Sequence, residues 1–120
     1  MKFVKVNLIL LFVFVSATVS AKKNTEAEKR ADVITQWMTE KLDLSDEQIS
    51  KVKELNLECE KEIDRLTTEK AGFPCMQAVR DSLLQKENDF SDVLTATQLA
   101  SYKKRKCELK EKLKRMFKRL

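Results

Sequence analysis

The sequence contains no histidine, one glycine and one proline in 120 residues, and aromatic residues make up only 7% of it. Each shortage excludes something. Without an imidazole there is no side chain that ordinarily exchanges a proton near neutral pH. With a single glycine there is no glycine-rich loop to cradle a phosphate. The three cysteines, Cys59, Cys75 and Cys107, are dispersed, with no Cys-x-x-Cys pair, so they are not set at metal-ligand spacing. The carboxylates are interleaved with lysines, as on solvated helix faces. Glu58, Glu60, Glu62 and Asp64 alternate along the chain, but successive members fall about 200° apart on a helix and do not converge as one acidic site. These absences predict a protein that is not an enzyme and carries no metal or cofactor.

Long apolar runs are also scarce. One opens the chain, where Met1, Lys2, Phe3, Val4 and Lys5 lead into an apolar stretch from Leu8 to Val15 and then to the small residues Val19, Ser20 and Ala21. This is the layout of a secretory signal peptide over residues 1–21, with cleavage after Ala21. The run is too short to be a convincing membrane span, and no second one follows. The expected product is a secreted domain, residues 22–120, small enough that its core is modest. Charge is unevenly spread along it. Residues 22–99 hold 12 basic and 17 acidic groups, net −5, whereas residues 100–120 hold 10 basic and 2 acidic, net +8.

What is plentiful is helix-forming sequence: charged residues are 36% of the chain, and lysine, glutamate, leucine and alanine abound. Ala27, Ala31, Ile34, Trp37, Met38 and Leu42 recur at three-four spacing and predict a first helix from Thr25 to about Lys41. Ile49, Val52, Leu55, Cys59, Ile63 and Leu66 keep one narrow apolar face and predict a second, from Asp46 to about Lys70. Gly72 and Pro74 flank Phe73 and should stop it. Met76, Val79, Leu83 and Phe90 mark a third helix ending near Ser91. Leu99, Tyr102, Leu109, Leu113, Met116 and Leu120 mark a fourth, interrupted by Lys106. The fold class predicted is all-α, four helices in two helix-turn-helix hairpins, residues 25–70 and 75–120, hinged near 72–74.

Two of these helices start the same way. Leu44-Ser45-Asp46-Glu47-Gln48-Ile49 places Ser45 as N-cap, its hydroxyl accepting from the Gln48 amide while the Gln48 side chain reaches back to the Ser45 N–H. Leu44 and Ile49 are spaced as a hydrophobic staple. Leu94, Thr95, Gln98 and Leu99 repeat every one of these roles at an offset of 50 residues.

The two copies, Leu44-Ser45-Asp46-Glu47-Gln48 and Leu94-Thr95-Ala96-Thr97-Gln98, resemble the paired LTxxQ motifs of the Spy and CpxP family of small periplasmic proteins, with Ser45 in place of a threonine. The resemblance implies an all-helical protein of bent hairpins that dimerises into a thin curved cradle, a periplasmic location and a role in envelope stress. It implies an ATP-independent chaperone that binds partially unfolded envelope proteins or, alternatively, a regulatory protein that docks on the sensor domain of an envelope stress kinase. The family also includes metal-responsive proteins, a branch that the absent histidine and dispersed cysteines weigh against; one scaffold carries all three jobs, so the resemblance bears on fold more directly than on function.

The thiols and the basic tail leave alternatives open. Cys59 either fills the apolar stripe as a small hydrophobe or cross-links two chains, and an up-and-down arrangement would bring Cys75 near the level of Cys107 for an internal disulfide. The cluster Lys103, Lys104, Arg105 and Lys106 begins the basic helix. Secretion argues against nucleic acid as its partner. It could contact an anionic membrane surface peripherally, dock on the acidic second helix, or attract unfolded acidic clients.

Overall fold

In a computed structural model that describes residues 25–117, the chain forms four α-helices: α1 Glu26–Leu42, α2 Asp46–Glu69, α3 Gly72–Phe90 and α4 Ala96–Phe117. The expected signal peptide, residues 1–21, and the last three residues lie outside the described residues. Among those described there is no strand, and no helix is long and apolar enough to cross a membrane. The protein is all-α, as its composition and periodicity predict.

Helix starts follow from capping chemistry. Ser45 and Thr95 form the two expected boxes, and Thr25 with Glu28 forms a third that opens α1: the Glu28 N–H donates to Thr25 Oγ1 at 3.2 Å and the Thr25 N–H to Glu28 Oε1 at 2.7 Å. α1 ends at Asp43, left-handed at φ 56°, whose N–H donates to Thr39 O. Between α2 and α3 the chain extends at Lys70 and Ala71, then turns at Gly72 with φ +69°, a conformation glycine adopts without steric cost. Pro74 sits in the first turn of α3, where its missing N–H costs no helical bond.

α1 packs along α2, α3 packs along α2, and α4 packs on α1. The apolar faces of α1 and α2 are buried as their spacing predicts: Ile34, Trp37, Met38 and Leu42 from α1 meet Val52 from α2, with Ile49 and Leu55 partly covered beside them. Phe90, Leu94 and Tyr102 close the same core where the interhelical turns gather. The Phe90 and Tyr102 rings meet edge to face at 5.2 Å, and the Lys86 ammonium lies 5.6 Å from the Phe90 centroid. The molecule is thin, with a Cα radius of gyration of 18.1 Å against about 13 Å for a compact chain of 100 residues.

Four features depart from the sequence reading. α3 and α4 do not pack along each other as a second hairpin over residues 75–120. α4 lies along α1 instead, its stripe of Tyr102, Leu109 and Leu113 joining the common core, and of these three only Tyr102, near its start, also meets α3, at Phe90. α3 turns its Cys75, Ser82, Lys86 and Phe90 side inward, so Met76 and Leu83 are exposed rather than core. α4 does not dock on the acidic α2, and among the described residues its only interhelical ion pair is Lys106 to Glu87 of α3, 2.6 Å. Finally, although the four alternating carboxylates do not converge together, Glu60 and Asp64 stand one turn apart and both bind Arg30 of α1. Arg30 is 2% exposed. Its Nε donates to Glu60 Oε1 at 2.6 Å and its Nη2 to Asp64 Oδ1 at 2.7 Å. Burial alone would lower the Arg30 pKa, but the bonds to Glu60 and Asp64 outweigh it and raise the value. The guanidinium therefore stays charged.

Candidate functional site

The two motif glutamines are the most heavily bonded side chains at the turns. Gln48 Oε1 accepts the Ser45 N–H at 3.0 Å, and the Gln48 N–H donates to Ser45 Oγ at 3.2 Å. Gln98 does the same with Thr95, at 3.0 and 3.1 Å. That much is capping.

The amide nitrogens then reach across. Gln48 Nε2 donates to Gln98 Oε1 at 2.7 Å and to Val93 O at 3.1 Å. Gln98 Nε2 donates to Gln48 Oε1 at 3.3 Å and to Leu42 O at 3.2 Å. Each motif thus caps its own helix and holds the turn that precedes the other. Leu44 and Leu94 are buried beneath this latch, and their staple partners Ile49 and Leu99 pack partly against the core. The crossing requires a side chain that accepts and donates at once, which an amide does and a carboxylate does not. Glu28, whose box caps α1 alone, needs only to accept. Sequence reasoning found both boxes but missed their joining. The signal available was that both motifs use glutamine, whereas the unjoined box uses glutamate.

The thiols are all free. Cys75 and Cys107 are not brought together, because α3 lies on α2 and α4 on α1. Cys75 donates to Leu66 O at 3.8 Å, and Cys107 is exposed on α4. Cys59 is buried, its sulfur 3.9 Å from Ser82 O, and burial pushes its thiol pKa up, which disfavours the reactive thiolate. Among the described residues there is no cluster of three or more metal-ligating side chains.

The basic cluster is split by the helical turn. Lys103 and Lys104 are exposed, Arg105 donates to Glu108 on its own helix at 3.3 Å, and Lys106 reaches Glu87. Lys103, Lys106, Lys110 and Lys114 share one side of α4, within an arc of about 80°. This site is a cationic surface.

A family profile matches residues 17–119, nearly the whole sequence. The chain belongs to the DUF4890 family, a domain of unknown function. No curated protein and no solved structure matches it significantly. The latch and the basic helix of this DUF4890 domain both lie within the matched region.

Proposed function

We propose that this DUF4890 domain is a secreted, periplasmic, ATP-independent chaperone-like protein, similar in scaffold to the Spy and CpxP family, that binds partially unfolded envelope proteins under stress. Its partners on this reading are unfolded or partly folded polypeptides, and the working unit is a homodimer. The observation that carries the reading is the exposure of the α4 cations. They were candidates to neutralise the acidic α2, but α4 docks on α1 through apolar side chains and leaves Lys103, Lys104 and Lys110 in solvent. Exposed cations accelerate encounters with anionic chains, and a thin helical body offers much surface per residue. The paired glutamine motif supports the scaffold half of the proposal, since it is the feature shared with the LTxxQ proteins.

The test is aggregation of a heated or chemically reduced client, with the chain from residue 22 onward added and no nucleotide present. Suppression across several unrelated clients supports the proposal. Binding to one sensor-kinase domain, with no effect on any client, would replace it by the regulatory reading.

A further inference from the structure

Among the described residues, four of the five large apolar side chains that stand exposed belong to α3: Phe73 at 73%, Met76 at 66%, Leu84 at 56% and Leu83 at 41%. They are not scattered. At 100° per residue they fall, together with Arg80 and Glu87, in one arc of about 100° and span about 16 Å of the helix. This arc lies beside, and apart from, the Cys75, Ser82, Lys86 side that packs on α2. A contiguous exposed apolar stripe of this kind marks an interaction surface more often than idle surface.

The direction of this face is fixed by one contact. Glu87 is on the α3 arc and Lys106 is on the lysine side of α4, and the two form the 2.6 Å ion pair that joins the helices. The rings of Phe90 and Tyr102 meet at the same end. Since α3 and α4 do not pack along each other beyond it, the apolar stripe of one and the lysine stripe of the other diverge from this junction as two sides of one surface. Glu87 is the only carboxylate in either arc, and it is already paired; Arg80 adds a further cation within the apolar arc.

We infer that the divergent faces of α3 and α4 form a single docking surface for acidic polypeptide segments that also carry apolar side chains, the apolar residues seating on Phe73, Met76 and Leu84 and the carboxylates on Lys103 and Lys110. The inference rests on the proposed chaperone-like function and names where its client would bind and of what chemistry. Charge selects the occupant. A second copy laid on this face would oppose Arg80 and the α4 lysines with their own counterparts, whereas an acidic segment neutralises them. The stripe length suits about five extended residues or three helical turns.

The experiment is fluorescence anisotropy with the chain from residue 22 onward and a labelled, unstructured peptide that interleaves glutamate with leucine and phenylalanine among serine and glycine. Two comparison peptides replace its glutamates by lysine or its apolar residues by serine. The acidic apolar peptide should bind at least about tenfold more tightly than either, a difference of about 1.4 kcal/mol. Replacing Phe73, Met76 and Leu84 by Ser should abolish most of that preference with helicity and thermal midpoint unchanged, since these side chains are in water. Lys103→Gln with Lys110→Gln should weaken binding at low salt and little at high salt. Equal binding by parent and serine variant overturns the inference. So does a serine variant that turns a dimer into a monomer but binds peptide normally, or parent binding to anionic phospholipid vesicles in preference to the peptide. The two levels separate cleanly: aggregation suppressed by parent and serine variant alike defeats the surface and spares the function, while peptide binding without any suppression defeats the function and spares the surface.

Discussion

Gln48 donates its side-chain amide to Gln98 across 2.7 Å, joining two helix caps that lie fifty residues apart in the chain. The pair is partly buried, and each glutamine simultaneously caps its own helix and bonds a backbone carbonyl of the opposite turn. A cap alone contributes about 1 kcal/mol. The reciprocal bonds should add to this and make the two sites interdependent.

Gln48→Ala and Gln98→Ala should therefore each lower stability by about 2 kcal/mol, more than a lone cap. The double variant should lose less than the sum, with a coupling of about 1 kcal/mol in a double-mutant cycle. Gln98→Glu keeps the cap acceptor but removes the donor to Leu42 O and Gln48, so it should be destabilising where Glu28→Gln at the unjoined box is nearly neutral. Urea unfolding monitored by helicity measures all five variants. Strict additivity would mean the caps act alone.

Much of this was legible in the sequence, for identifiable reasons. The α1 and α2 faces are read from period alone, because Ile34, Met38 and Val52 are buried on both flanks of a two-helix contact. The boxes are local, spanning four residues, so spacing suffices to find them. The α3 orientation was not legible. Met76, Val79 and Leu83 have helical spacing, but α3 has two apolar faces, and which is buried depends on where α2 and α4 lie. The Gln48 to Gln98 bonds and the Arg30 cluster are likewise tertiary: no periodicity in one helix indicates which residue of another will meet it.

The Arg30 cluster should behave as a buried pair. The Arg30 and Glu60 side chains are 2% and 7% exposed, so removing Arg30 leaves Glu60 without its cation in a poorly solvated site, and removing Glu60 leaves the buried Arg30 with only the more exposed Asp64. Arg30→Ala or Glu60→Ala should cost about 3–5 kcal/mol, whereas a jointly apolar replacement, Arg30→Met with Glu60→Leu, should recover most of it. Calorimetry on the three variants decides. A single variant as stable as the parent would contradict the account.

Tyr102 gives the protein an alkaline limit. Burial, reinforced by the negative charge of Glu87, raises its pKa above the ordinary value near 10. The folded state then holds the phenolic proton where the unfolded chain releases it, so stability is unaffected below pH 10 and declines as pH rises above it. Tyr102→Phe should flatten that decline. A steep loss of the same slope in the variant would place its origin elsewhere.

The thiols should alkylate in order of exposure. Cys107 should react with iodoacetamide first, Cys75 more slowly, and Cys59 only on opening or unfolding, because its thiol is buried and its pKa raised. Mass spectrometry of a timed reaction gives the order directly. Rapid modification of Cys59 in the folded protein would contradict the packing of α2 on α3.

On the proposed function, exposed cations on α4 help capture unfolded clients without nucleotide. The most direct measurement is light scattering of an acidic client as it aggregates, at low and at high salt, with the parent chain and with a variant carrying Gln at Lys103, Lys104, Arg105 and Lys106. The parent should suppress scattering without ATP. The variant, folded but lacking the cluster, should be several-fold less effective at low salt and closer to the parent at high salt, where screening has already removed most long-range attraction between exposed charges. A parent chain that leaves the scattering of every client unchanged, or a variant that protects as well as the parent at low salt, would contradict it.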